Sequence, residues 1–199
     1  MRPSLRVIVT GTVGIVIAAV VTLLAVGLLN DEPVTGRSGV MRVGKPAKDF
    51  TLPLFGGGEF VLSEQRGRPM VINFWASWCP PCRVEARLLE GVWRLYREQD
   101  VVFVGVNIQD SDKAGAAYLA EFGLTYPNGK DVDGRTTVDY GVIGLPVTFF
   151  VARDGTVQRR WVGAISEADL LARVDELVTG VVPTGNLDDE NPDKFFKLE

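Results

Sequence analysis

The chain contains no histidine. That absence removes Ser-His-Asp and Cys-His nucleophilic catalysis, the HExxH zinc site and His-ligated haem. Cysteine occurs only twice, and two thiolates cannot complete a four-ligand structural zinc site. A long basic run is also missing: 21 Lys and Arg stand against 25 Asp and Glu, a net charge of -4, so the electrostatic footprint of a nucleic-acid-binding domain is lacking. There is no internal repeat and no low-complexity tract. What is present is 199 residues, enough for one ordinary domain with flanking segments and a core that needs no staples. Its chemistry falls to carboxylates, hydroxyls and the single cysteine pair.

Residues 7–29 carry no charge and are dominated by Val, Ile, Leu and Ala, with Arg2 and Arg6 before them and Asp31 and Glu32 after. Such a stretch is long enough to cross a hydrocarbon core of about 30 Å as a helix. The basic flank puts residues 1–6 in the cytoplasm and everything beyond residue 29 outside it. A cleavable signal peptide is the competing reading, but its apolar region spans about 7 to 15 residues and ends in a small-residue cleavage site, which fits poorly here. No cysteine lies near residue 30, so an acylated-cysteine anchor is excluded. The expectation is a single-pass cell-membrane protein with an uncleaved transmembrane anchor at 7–29. Residues 30–48, rich in Gly, Pro and charge, read as a linker. A folded domain is expected over 49–182. Residues 183–199, with Asp188, Asp189, Glu190 and Asp193, read as a flexible acidic tail.

Within the domain, residues 50–62 give two short extended pieces around Gly56, Gly57 and Gly58, a hairpin signal. Residues 70–75 (MVINFW) and 101–107 (VVFVGVN) are apolar runs of strand length, buried on both faces. A helix is predicted from Cys79 to about Glu98, with Val84, Leu88, Val92, Leu95 and Tyr96 as its apolar stripe. Asp110 or Ser111 can cap a second helix that ends at Gly123. A strand over 147–152, a turn at Arg153, Asp154 and Gly155, and a strand over 156–162 follow. Ser166 to Asp169 then resembles a capping box for a last helix to about Val178. This order is α/β with a mixed sheet.

Cys79-Pro80-Pro81-Cys82 falls where the first apolar strand ends and the long helix begins. A CxxC motif alone fits metal ligation, a structural disulfide or redox catalysis. Context favours the last. Two prolines suit a first helical turn, which has no use for their missing N–H groups. Cys79 is thereby placed at the helix N-terminus, where unpaired backbone donors and the macrodipole favour a thiolate. Its pKa should fall below the free-thiol value of about 8.5, which makes Cys79 the attacking sulfur and the deeper Cys82 the resolving one. A structural disulfide across so short a loop constrains little chain entropy. A two-thiolate Cu(I) site lacks His and nearby Met ligands.

The run Val71-Ile72-Asn73-Phe74-Trp75-Ala76-Ser77-Trp78-Cys79-Pro80-Pro81-Cys82-Arg83-Val84-Glu85 resembles the active-site segment of the thioredoxin superfamily. More narrowly, it resembles the membrane-anchored TlpA/ResA-like thiol-disulfide oxidoreductases, which include cytochrome c maturation proteins. Ala47 to Leu52 is similar to that family's N-terminal hairpin, Val104 to Asn107 to its second central strand, and Tyr140 to Phe150 to its cis-proline segment. The resemblance implies a thioredoxin-like fold, a central mixed sheet flanked by helices with an N-terminal β-hairpin. It implies that Pro146 is cis and lies beside Cys79, where it shapes the substrate site and excludes metal. Leu145 stands where related proteins often carry Thr, so substrate selection departs from theirs at that point. Glu85 occupies a position where the family keeps a glutamate that modulates thiol ionisation and relays protons. Asn73 replaces thioredoxin's buried aspartate and cannot titrate, which leaves Glu85 as the acid/base group.

Trp78, Pro80, Pro81 and Leu145 form the expected substrate-binding set, whereas Trp75 reads equally well as core packing. No cofactor is implied beyond a redox-active Cys79–Cys82 disulfide. The implied partners are protein substrates bearing disulfides or dithiols, apocytochrome c among them, and a membrane electron carrier that re-reduces the pair. The alternatives are a thiol oxidase or disulfide isomerase and a Cu(I)-handling module. Peroxide chemistry is disfavoured, because Ala76 and Ile72 stand where a peroxiredoxin's PxxxTxxC motif needs Thr and Pro.

Overall fold

Met70–Trp75 forms β3, and all six of its residues are buried. In the computed structural model it is the middle strand of a five-stranded mixed sheet. It runs parallel to β4 (Val102–Asn107) and antiparallel to β6 (Val147–Val151); β4 pairs in parallel with β5 (Asn128–Lys130), and β6 antiparallel with β7 (Val157–Val162). The order is therefore β5-β4-β3-β6-β7. Before it, β1 (Thr51–Pro53) and β2 (Glu59–Val61) pair antiparallel as the expected hairpin. Gly57 and Gly58 turn that hairpin at φ 88° and 78°, a region open to glycine and costly to other residues. The helices are α1 (Pro80–Tyr96), α2 (Asp112–Phe122), the short α3 (Arg135–Asp139) and α4 (Glu167–Thr179).

Alternation along β3 decides what each face of the sheet buries. Ile72 and Phe74 join Val104, Val106 and Phe149 under the hairpin residues Phe50, Leu52 and Phe60, with Tyr140 at the centre. Val71, on the opposite face, packs with Phe103 and Phe150 against Leu89, Val92 and Tyr96 of α1 and Leu170, Val174 and Leu177 of α4. Asn73 shares the parity of Val71 and so presents an amide to α1 from a strand of otherwise apolar residues.

The structure describes residues 41–180 together with Ala19 and Thr22. The chain divides into two units. Of Met1–Ser38 only Ala19 and Thr22 are described, both helical and exposed, and Gly39–Glu199 contains the sheet and its helices. The expected anchor over 7–29, apart from those two residues, and the acidic tail lie outside the described residues. Among the described residues no helix is long and apolar enough to cross a membrane.

The structure corrects, decides between or completes four readings of the sequence. Residues 41–48, read as the end of a linker, belong to the domain: Met41 is buried in the core, and Gly44 N donates to Val157 O, Ala47 N to Gly155 O and Val157 N to Lys45 O. Those bonds run the segment along the edge at β7, which gives a charged, Gly- and Pro-containing stretch the backbone partners its composition does not announce. The apolar stripe of α1 holds only in part: Val92 and Tyr96 are buried and Leu88 is half-buried, but its other two residues face outward. Val84 and Leu95 are 78% and 65% exposed, and the buried face is Cys82, Glu85, Ala86, Leu89, Glu90, Val92 and Tyr96. Two hydrogen-bonded glutamates on that face misdirect a count of apolar residues. Ser111, not Asp110, caps α2, with Oγ accepting from Ala114 N. The fourth is an omission: β5 (NGK) and α3 (RTTVD) carry no apolar run, and β5 exists through its ladder to β4.

Candidate active site

Beyond Trp75 the chain reverses through residues 76–79, closed by Cys79 N donating to Ala76 O at 3.2 Å. Cys79 has extended backbone angles (φ −87°, ψ 107°) and is the N-cap of α1, with the exposed Pro80 and Pro81 in the first helical turn. Its Sγ accepts the Cys82 N–H at 3.2 Å. That backbone donor and the positive helix end meet at the sulfur that a thiolate would occupy. Cys79 and Cys82 are joined as a disulfide, their Cα atoms 5.3 Å apart.

Cys82 is expected to be the less exposed of the two cysteines, and in this oxidised form the difference is slight. The two residues are 2% and 1% exposed. Trp75, Ala76, Ala86 and Tyr118 surround them, and half-buried Leu145 packs against the same cluster. Leu145–Pro146 is a cis peptide. Pro146 is buried, and its carbonyl accepts from Gly163 N at 2.9 Å. Trp78 is 57% exposed, and its Nε1 donates to Gln109 O at 3.0 Å. Trp75 is core instead. Its ring stacks on Tyr118 with centroids 4.3 Å apart, and its Nε1 donates to Asn128 Oδ1 at 3.0 Å.

Glu85, three residues beyond Cys82 on the inner face of α1, is 1% exposed. Asn73 Nδ2 donates to its Oε1 at 2.9 Å and Ile165 N to its Oε2 at 3.0 Å. Asn73 Nδ2 also donates to Thr148 Oγ1, across the β3–β6 ladder. Removal from water pushes the Glu85 carboxyl up to about 7, against the smaller opposing pull of the Ile165 and Asn73 donors. A buried acid whose carboxyl is pushed up to about 7 is thus placed one helical turn beyond Cys82.

Sequence reasoning missed three neighbours. The Tyr118 hydroxyl donates to Cys82 O at 2.9 Å. Burial first, then the Glu85 charge, push its pKa well above the usual tyrosine range. Thr148 was visible only as a strand residue. Asp110, offered above as a helix cap, instead accepts from both Ser77 N and Ser77 Oγ. Burial opposes its ionisation, yet its donors at Ser77, Asn107 and Ser111 outweigh that and hold it below the usual carboxylate range. Among the described residues no group of three or more Cys, Asp or Glu is arranged to hold a metal ion.

A disulfide closing the first turn of the helix that leaves the middle strand of such a sheet, set against a cis-proline segment, defines a thiol-disulfide oxidoreductase of thioredoxin-like fold. The chain belongs to the AhpC/TSA family, whose model matches residues 43–160. It is 35% identical over 147 residues to the thiol:disulfide interchange protein DsbE of Pseudomonas fluorescens biotype C, covering 71% of this chain and 80% of that one. The thiol-disulfide oxidoreductase ResA of Geobacillus thermodenitrificans is 30% identical over 135 residues, covering 68% and 78%. Among solved structures, a secreted Mycobacterium tuberculosis disulfide oxidoreductase homologous to E. coli DsbE superposes with a TM-score of 0.60 at 30% identity, covering 64% of this chain and 96% of that one. A thioredoxin-family thiol:disulfide interchange protein from Chlorobium tepidum gives 0.63 at 27% identity, covering 69% and 98%.

Proposed function

We propose that this oxidoreductase is tethered by residues 7–29 with its domain outside the cytoplasm, and that it reduces protein disulfides, apocytochrome c among them, in cytochrome c biogenesis. The observation that carries the reading is the placement of Cys79 as N-cap with the Cys82 amide on its sulfur and a buried Glu85 behind the pair. The resemblance to DsbE and ResA relatives supports the pathway, and the CPPC sequence, with no histidine between the cysteines, supports the reducing direction.

In the reduced protein the Cys79 thiolate attacks a substrate disulfide, forming a mixed disulfide and releasing one substrate thiolate. Cys82, as thiolate, then attacks the Cys79 sulfur and expels the second substrate thiol. Two electrons pass to the substrate, and the protein is left with the Cys79–Cys82 disulfide. A membrane electron carrier returns the dithiol. Glu85 takes and returns the Cys82 proton. Trp78, Pro80, Pro81 and Leu145 contact the substrate chain around the attacked bond, and Pro146 lines the same surface.

A peptide with an oxidised C-x-x-C-H haem-attachment segment tests this. The reduced protein should convert it to the dithiol, and Cys82→Ser should hold it as a one-to-one mixed disulfide through Cys79. An inert reduced protein, with an oxidised form that instead makes the disulfide in the dithiol peptide, would contradict the assigned direction.

A further inference from the structure

Two loops meet beside the disulfide: the reversal at residues 76–79 after β3, and residues 108–111 between β4 and α2. Asp110 joins them. Its Oδ2 accepts from Ser77 N at 2.7 Å and Asn107 Nδ2 at 3.1 Å, and its Oδ1 from Ser77 Oγ at 2.9 Å and Ser111 N at 2.9 Å. The remaining polar group of Ser77, its carbonyl, accepts from Arg83 Nη1 at 3.5 Å. Arg83 is itself held by an ion pair to Glu121 and by the Phe122 ring, 4.9 Å from its guanidinium. Every hydrogen-bonding group of Ser77 is therefore engaged from outside the reversal. The next residue, Trp78, is engaged from the same second loop through Gln109 O. Gln109 supplies that carbonyl from a left-handed backbone (φ 47°), a conformation that persists in a non-glycine residue where its surroundings impose it.

The cap of α2 does not account for Asp110, because Ser111 supplies it. The bonds of Asp110 go to Ser77, Asn107 and Ser111, so it acts through the reversal and not on the sulfurs. We propose that Asp110 is a positioning residue: through Ser77, and through Gln109 to Trp78, it holds Cys79 and the exposed indole in the arrangement that engages a protein disulfide. The inference rests on the reading of Trp78 as a substrate contact. An indole already held in place spares the ordering that a free side chain undergoes on binding, so the effect falls on substrate capture.

The experiment uses the full chain, reduced, with insulin as the protein disulfide. Asp110→Ala removes charge-assisted bonds and should raise the KM for insulin about tenfold while moving kcat much less. Asp110→Asn, which keeps an acceptor for Ser77 N, should restore most of the affinity. The near-ultraviolet circular dichroism of Trp78, taken as the difference from Trp78→Phe, should weaken in Asp110→Ala and return in Asp110→Asn. Ser77→Ala deletes one bond of the set and should raise KM about two- to threefold with a smaller loss of that signal; it carries the test should Asp110→Ala fail to fold. A fall in kcat at constant KM, or an unchanged Trp78 signal in Asp110→Ala and Ser77→Ala, overturns the proposal. Trp78→Ala separates the two levels. If it leaves the insulin KM unchanged, the substrate contact itself is wrong and the inference falls with it. If it raises KM and the Asp110 and Ser77 variants do not, the positioning role alone is wrong.

Discussion

Helix α1 buries two carboxylates under different rules. Near its start, Glu85 is 1% exposed and accepts from neutral N–H donors of Asn73 and Ile165. In its middle, Glu90 is 6% exposed and meets Arg94 Nε at 2.6 Å, Thr125 N at 2.7 Å and Thr125 Oγ1 at 2.6 Å. Burial pushes both upward, but at Glu90 the Thr125 donors and the Arg94 guanidinium outweigh it and hold the carboxyl below its usual range. At Glu85 burial wins, and the group titrates near 7. One helix face thus carries a carboxylate that its partners keep ionised and, more deeply buried, an acid able to exchange a proton beside the cysteine pair. Deeper burial at Glu85 and the stronger, partly cationic donor set at Glu90 together separate the two carboxylates.

The difference between Glu85 and Glu90 should show first in how stability varies with pH. Glu85 moves from an ordinary 4.5 to about 7 on folding. A raised value means its contribution to stability is complete below about 4.5 and lost as pH rises through about 7. Urea unfolding across that window should show about 3 kcal/mol more decline in the parent than in Glu85→Gln, whatever the baseline of the variant. Parallel curves would return Glu85 to the status of Glu90.

Next comes turnover. Glu85→Gln should lower the rate of disulfide reduction at pH 7 by about 100-fold, the ordinary scale of lost acid/base catalysis, and flatten its pH profile. Glu90→Gln should leave that profile in shape, and an equal loss in both variants would erase the distinction. Glu90→Ala leaves the Thr125 N–H without its acceptor and should cost about 2 kcal/mol in denaturant unfolding. The smallest effect belongs to Arg94→Ala. Its side chain is 58% exposed, so the pair contributes at most about 0.5 kcal/mol, and the readout is an upward move of the Glu90 titration.

The same pair shows what the amino-acid sequence discloses. Cys79 and Cys82 are legible because an apolar strand, two prolines and a helical pattern are all local signals, and β3, β4, α2 and α4 follow for the same reason. The cis state of Pro146 came through family resemblance and not through any local rule. Glu85 is illegible as a buried group: on a helix a glutamate reads as solvated, and its partners Asn73 and Ile165 lie 12 and 80 positions away. Asp110 fails differently, since either it or Ser111 satisfies the local cap rule, and only the chain 33 positions earlier decides what Asp110 binds. Residues 41–48 and β5 hold their places through backbone pairing, which side-chain pattern does not report.

Whether the protein donates electrons or accepts them is set by the reduction potential of the Cys79/Cys82 pair, measured by titration of the protein in a thiol redox buffer with tryptophan fluorescence as the signal. A reductant supplied by a dedicated membrane electron source requires a value well below about −200 mV. A value near about −120 mV would make the protein a disulfide donor and not a reductant.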